Sequence, residues 1–161
     1  MARAFRIERE EDLLRGPAAT GRIGDVRLDN GVVAAVIDRV EPAARSLGGI
    51  GFALSGGSLV DASRLSGSPA AGRNDELGQL FAYWGEFPRQ PIYERLTTRI
   101  EGEHAIVRVE GRDSIEPELG VATEYVLGPW RGKGGVRHDV LVLKTEFHNR
   151  SGRTFGPVAV G

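Results

Sequence analysis

Cysteine is absent from the 161 residues, so disulfides, zinc–thiolate sites and thiol chemistry are excluded. Charge of one sign is missing too: 21 basic side chains face 22 acidic ones, for a net charge of −1. That balance leaves no electrostatic footprint for nucleic acid. No apolar run approaches the ~18 residues of a membrane span. The charged stretch Met1 to Glu10 carries no apolar region of the signal-peptide kind. Lysine is almost missing, with Lys133 and Lys144 alone, and the many arginines are scattered among acids rather than gathered into a patch. What is present fits one ordinary domain: 40% hydrophobic and 27% charged residues, with 7% aromatics to nucleate a core. Glycine reaches 23 residues, about twice the usual share, and serves as punctuation between short elements.

Those elements read as strands. Asn30-Gly31 separates Asp25–Asp29 from Val32–Ile37, a strong hairpin signal because both turn residues tolerate positive φ. A two-residue Asn-Gly loop would pair Leu28 with Val33, Val26 with Ala35 and Gly24 with Ile37 on one apolar face. The opposite face, Asp25, Arg27 and Asp29 with Val32, Ala34 and Val36, suits a surface partly covered by something else. Ala4 to Ile7 reads as a short strand and Glu10 to Leu14 as a helical turn ended by Gly16-Pro17. Residues 48–62 read as two strands hinged at Ser55-Gly56-Gly57. Residues 63–74, rich in Ser, Gly, Pro and Ala, read as a flexible loop. Beyond it, Ile92, Leu96 and Ile100 alternate with charged neighbours, Ala105, Val107 and Val109 share a face, and Val121–Leu127 continues the pattern. Arg137–Asn149 places Leu141, Leu143, Thr145 and Phe147 on one side and Lys144, Glu146 and His148 on the other. Strands at such spacing predict an all-β fold, an antiparallel β-sandwich. The stretch from Phe155 to Gly161 looks like a strand just beginning, so the sequence is expected to be the N-terminal part of a longer protein. An unpaired edge is expected to join a further C-terminal region or another chain.

Chemistry-bearing patterns are few. His104, His138 and His148 form no metal-binding spacing, and on one extended strand the last two would stand roughly 33 Å apart. Glu10-Glu11 and Asp75-Glu76 are adjacent in sequence and diverge, unlike the carboxylate pair of a glycosidase. The segment from Gly128 to Gly134 has the wrong spacing for a phosphate loop and lacks its Ser/Thr, and Gly48-Gly49-Ile50-Gly51 lacks dinucleotide-fold spacing. Neither Ser55 nor Ser58 has a nearby histidine to activate it. No catalytic residue, metal ligand or cofactor is therefore assigned. The best candidate site is the aromatic group from Phe81 to Tyr93. In it Trp84 and Tyr83, with Arg89 and Glu76, form the pattern by which many β-sandwiches hold sugars: ring faces cover C–H surface while polar neighbours read hydroxyls. The competing reading places Phe81, Tyr83 and Phe87 in the core.

A resemblance adds to this. Leu14, Gly16, Ala19, Gly21-Arg22, Gly24-Asp25, Leu28, Asn30, Val33 and Ile37 come first, followed by Gly56-Gly57-x-Leu59-Val60-Asp61 and Asp75-Glu76-Leu77-Gly78-Gln79-Leu80. Together they resemble the N-terminal β-rich region of large bacterial envelope proteins, lipoproteins among them. In that group the region often precedes a metallohydrolase domain of the polymerase-and-histidinol-phosphatase type. The resemblance spans residues 12 to 161 and implies a supersandwich of the galactose-mutarotase kind and an envelope location, with no catalytic residues to carry over. The chain departs from the group in lacking a lipobox cysteine and in its basic, glycine-rich stretch from Gly128 to His138. Three functions follow as expectations. One is a non-catalytic accessory or binding module that takes a glycan or small molecule. Another is a mutarotase-like enzyme using one of the histidines with Glu94 or Glu124 as acid and base. The third is a structural assembly domain that pairs through an edge strand.

Overall fold

An extended chain with alternating apolar and polar side chains has one face to bury, and it does so by pairing with neighbours and stacking against a second sheet. The computed structural model describes residues 1–41, 55–65, 74–85 and 89–155, and within them the alternation produces two four-stranded antiparallel sheets. The first holds β1 (Arg3–Arg6), β2 (Val26–Asp29), β3 (Val33–Ile37) and β4 (Leu59–Arg64). The second holds β5 (Pro91–Glu101), β6 (His104–Asp113), β7 (Leu119–Arg131) and β8 (Arg137–Asn149), and in both the spatial order follows the chain. A 3-10 turn at Glu10–Asp12 is the helical element among the described residues. The fold is an all-β antiparallel sandwich. No helix among the described residues is long and apolar enough to cross a membrane.

The core lies between the sheets. Val26, Leu28, Ala35, Ile37 and Leu59 of the first meet Ala105, Val107, Val109, Val121, Tyr125 and Leu127 of the second, each valine, leucine or isoleucine contributing roughly 1.5–3 kcal/mol when fully buried. The outer face of the first sheet is buried as well: Ala34, Val36 and Val60 lie under Ile7 and Leu14. The cover expected over that face is the chain's own N-terminal segment.

Two details differ from the sequence reading. In the β2–β3 hairpin Leu28 pairs with Ala35 and Val26 with Ile37, two residues from the Asn-Gly register. The faces are kept, because a shift of two preserves side-chain parity. The cause is Asn30, whose Oδ1 accepts the amides of Val32 and Val33 at 3.0 and 2.9 Å. Asn30 thereby stays at the strand end, and positive φ (+84°) falls on Gly31. In β5 a bulge between Tyr93 and Arg95 inserts one residue and inverts the parity. Tyr93 thus turns into the core, while Ile100 is half-exposed. The bulge sits against Gly111, where a Cβ would lie 1.9 Å from the Ile92 carbonyl oxygen. The loop expected over 63–74 begins later than its composition indicates: Ser63 and Arg64 belong to β4, paired with Ala34 and Val33. Residues 66–73 lie outside the described residues, as do 48–54 of the expected strand pair and the strand expected to begin after Phe155.

Connections on the outer side of the first sheet are fastened by buried aspartates. Asp61, wholly buried on β4, accepts the amides of Thr20 and Gly21 at 2.7 and 3.0 Å. Asp75 accepts those of Ala62 and Leu77 at 2.8 and 3.2 Å, and Asp25 those of Arg22 and Arg39 at 2.7 and 3.0 Å. Replacing Asp61 by Asn sets an NH2 group against one of the two amides and leaves that amide unpaired in the interior. Asp61→Asn is expected to lower stability by about 1–3 kcal/mol, read as the urea midpoint, and to speed hydrogen exchange at Thr20 and Gly21. An unchanged midpoint with unchanged exchange would refute the fastening role.

Candidate functional site

Of the four side chains singled out in the sequence, Trp84 and Arg89 meet on the carboxylate of Asp113, while Tyr83 and Glu76 are exposed. Trp84 is completely buried: its indole N–H donates to Asp113 Oδ2 at 2.5 Å, and its ring meets Phe147 edge-on at 4.8 Å between centroids. It therefore presents no face to a sugar ring and stands as a pillar between the sheets. Arg89 joins it on the same carboxylate, Nε to Asp113 Oδ2 at 2.7 Å, while Asp113 Oδ1 accepts the amides of Ile115 and Glu116, both at 2.7 Å. Burial alone would raise the Asp113 carboxyl; the Glu116 amide, Arg89, the Ile115 amide and Trp84 together outweigh it and hold the group below the usual carboxylate range. Tyr83 is 37% exposed and Glu76 is exposed. The hub, Asp113, went unremarked in the sequence because it lies 29 residues from Trp84 and nothing local marks it.

Just before Trp84 the chain builds a pocket. Leu80 exchanges both main-chain hydrogen bonds with Leu59, at 3.0 and 2.8 Å, which pins residues 80–82 beside β4. Leu80, Phe81 and Ala82 on one side and Thr123, Tyr125, Leu143, Thr145 and Phe147 on the other enclose about 310 Å³. The pocket exists because the sheets differ in length: the strands of the first have 4–6 residues and those of the second 10–13. At about 3.3 Å per residue, the inner face of β7 and β8 outruns the sheet that covers it. The inward set Leu143, Thr145 and Phe147 follows from the alternation in β8. The overhang that leaves it accessible does not follow from any local pattern.

The pocket has a hydroxyl floor. Tyr93 Oη lies 2.6 Å from Thr123 Oγ1, which lies 2.9 Å from Thr145 Oγ1. Either oxygen of each pair can donate, and Thr145 stands at the pocket end of the row. Tyr125, beside them, donates to the Gly57 carbonyl at 2.8 Å. Tyr93 lies over Gly57, where a Cβ would come within 2.6 Å of its ring; burial pushes both phenols well up.

The candidate acid–base groups sit elsewhere. His104 Nε2 lies 3.3 Å from the Pro129 carbonyl, and His138 and His148 occupy opposite ends of β8. Glu124 is held by Arg99 and Arg108 at 3.0 and 3.1 Å, and Glu94 by Arg112 at 2.9 Å. None of these residues lines the pocket. Among the described residues no group of three or more His, Asp or Glu side chains is placed to hold a metal.

The remaining titratable group of note is Asp38, at the neck of the β3–β4 connection. Its Oδ1 accepts the Ser58 amide at 2.6 Å, and its main chain pairs with Ser58 and Gly57. Burial, partly offset by the Ser58 amide and reinforced by the charge of Asp25, pushes its carboxyl up to about 7. No protein-family model, curated protein or solved structure matches the chain.

Asp38 gives a signed pH dependence. Between its unfolded value of 3.8 and about 7, the folded state holds the proton and the unfolded state does not. The protonated form's contribution is therefore complete below pH ~4 and is lost as pH rises through ~7. Asp25 and Asp61, raised chiefly by burial, act in the same direction in both proteins of a comparison. Asp38→Asn keeps an oxygen for the Ser58 amide and removes the titration. Relative to wild type it is expected to gain a few kcal/mol between pH 5 and pH 8, measured by urea unfolding at both values; a pH-independent difference would refute the assignment.

Proposed function

We propose that the chain is a non-catalytic β-sandwich binding module, an accessory domain of a larger bacterial protein, and that the pocket beneath Leu80–Ala82 is its ligand seat. The observation that carries this reading is a pocket walled by Leu80, Phe81, Ala82, Leu143 and Phe147 with a few placed hydroxyls, in which Tyr125 is committed to the Gly57 carbonyl and Thr123 to Tyr93 and Thr145, leaving Thr145 at the end of the row. Ligand sites typically join mostly apolar walls to a few placed polar groups, and 310 Å³ lies at the small end of their usual ~300–1,000 Å³. Such a seat suits a small amphipathic molecule. A sugar ring or simple glycoside meets the description, with its C–H face against Phe81 or Phe147 and one hydroxyl on Thr145. Burial takes Trp84 out of the contact surface, and the ring platform passes to these two phenylalanines.

The test is an NMR titration of the chain with methyl and phenyl glycosides of glucose, galactose and mannose. Saturable shifts are expected at Leu80, Leu143 and Thr145, stronger with the phenyl aglycone. Thr145→Val is expected to weaken binding about five- to tenfold, the worth of one hydrogen bond. Leu143→Trp, which fills the pocket from a half-exposed position, abolishes it. Absence of shifts with every glycoside, or undiminished binding by Leu143→Trp, would overturn the reading.

A further inference from the structure

A sheet edge carries a row of main-chain donors and acceptors open to another strand, and proteins blunt such edges with short strands, prolines, bulges or covering segments. Three of the four edges here are blunted. β1 has four residues, β4 is bridged by Leu80, and β5 begins at Pro91 and carries the bulge at Tyr93–Arg95. β8 is not blunted. It runs 13 residues without a proline, keeps one register with β7 from Leu119↔Asn149 to Arg131↔Arg137, and pairs with no other strand among the described residues. Val142 and Leu143 are 38% and 39% exposed on it.

We infer that β8 is a homotypic pairing surface: a second copy of the chain adds its own β8 antiparallel to this edge, with the two-fold axis at Thr145. Charge selects the register. About Thr145, each Lys144 faces Glu146 of the other copy and each Leu143 faces Phe147, while Thr145 faces itself, a favourable cross-strand set on both faces of the sheet. Moving the axis to Lys144 or Glu146 sets that charge against its own copy. Moving it to Leu143 sets both charges opposite valines, Val142 and Val140, and His138 opposite His148. Lys144 and Glu146 already point to the same outer face, 2.6 Å apart within one strand, and Arg108 and His148 approach Glu146 at 3.4 and 3.7 Å, so the Lys144 ammonium can turn to the equivalent carboxylate across the axis while Arg108 stays on its own. The product is one continuous eight-stranded sheet made from two four-stranded ones. Its isologous interface closes on itself and leaves no new edge. The pairing needs no occupant in the pocket and so goes beyond the binding-module reading.

Sedimentation velocity across the micromolar range tests it, with folding of each variant checked by NMR. Wild type is expected to show a concentration-dependent monomer–dimer equilibrium. Lys144→Glu alone and Glu146→Lys alone each weaken it more than tenfold, and the double variant Lys144→Glu/Glu146→Lys restores it. Because the chain has no cysteine, Thr145→Cys supplies a sole thiol. On oxidation it is expected to link two copies, since directly opposed residues of antiparallel strands lie within disulfide reach. Leu141→Cys, opposite Asn149, is expected not to link. A wild-type chain that stays monomeric overturns the proposal, as does a dimer that tolerates either single charge reversal or a Thr145→Cys chain that fails to cross-link. A monomer that still binds glycosides would sink the pairing and leave the pocket standing.

Discussion

Buried carboxylates accepting main-chain amides hold this sandwich in shape. A meander of short strands needs long excursions between them, and amides in those excursions have no ladder to join. Asp25, Asp61 and Asp113 each take two such amides, Asp75 takes that of Leu77 together with that of Ala62 on β4, and Asp38 takes that of Ser58. Asp29 adds Gly31 and two guanidinium groups, Arg3 and Arg27. Charge-assisted hydrogen bonds are about twice as strong as neutral ones, which offsets part of the cost of burying a carboxylate. How much they offset depends on the neighbours. Asp113, with Arg89 and Trp84 beside it, is held below the usual range. Asp38, raised by burial and by the charge of Asp25, is pushed up to about 7.

The same fastenings set the site. Because Asp113 fixes Trp84 and Arg89, and Leu59 fixes Leu80, the segment between them has little freedom and roofs the overhanging part of the second sheet. The hydroxyl chain beneath it begins at Tyr93, which the β5 bulge turns inward, and ends at Thr145. A bulge in one edge strand thus places Tyr93 at one end of a hydroxyl row whose other end, Thr145, lines the pocket.

This division explains what could be read from the sequence. Period-two alternation carries β6, β7 and β8, and with them the fold class and the inward set Leu143, Thr145 and Phe147. The covered outer face of β2–β3 was legible for the same reason. Events that depend on one distant or unexpected partner were not. The hairpin register turns on where the Asn30 side chain points, the parity of Tyr93 on the contact between Gly111 and Ile92, and the fate of Trp84 on Asp113. The pocket depends on a difference in length between two sheets, to which no window of sequence corresponds. The residues that carried the family resemblance have a structural use: a Cβ at Gly21 would meet Asp61 Oδ2 at 2.5 Å, and one at Gly16 the Asp75 main chain at 2.2 Å. They are where the N-terminal segment closes onto the sheet.

The two outer faces are finished in different ways. The first sheet is covered by its own chain through Ile7 and Leu14. The second carries a lattice in which Arg108 reaches Glu110, Glu124 and Glu146, Arg99 reaches Glu101 and Glu124, and Arg95 reaches Glu110. Each exposed pair is worth only about 0.2–1 kcal/mol, yet one planar guanidinium serves several carboxylates where a lysine ammonium acts as a point charge, which gives the arginine bias of the sequence a use. A face whose charges already satisfy one another offers little to a partner. Among the described residues β8 ends its sheet with no further strand beside it, so the strand that closes the pocket is also an edge strand.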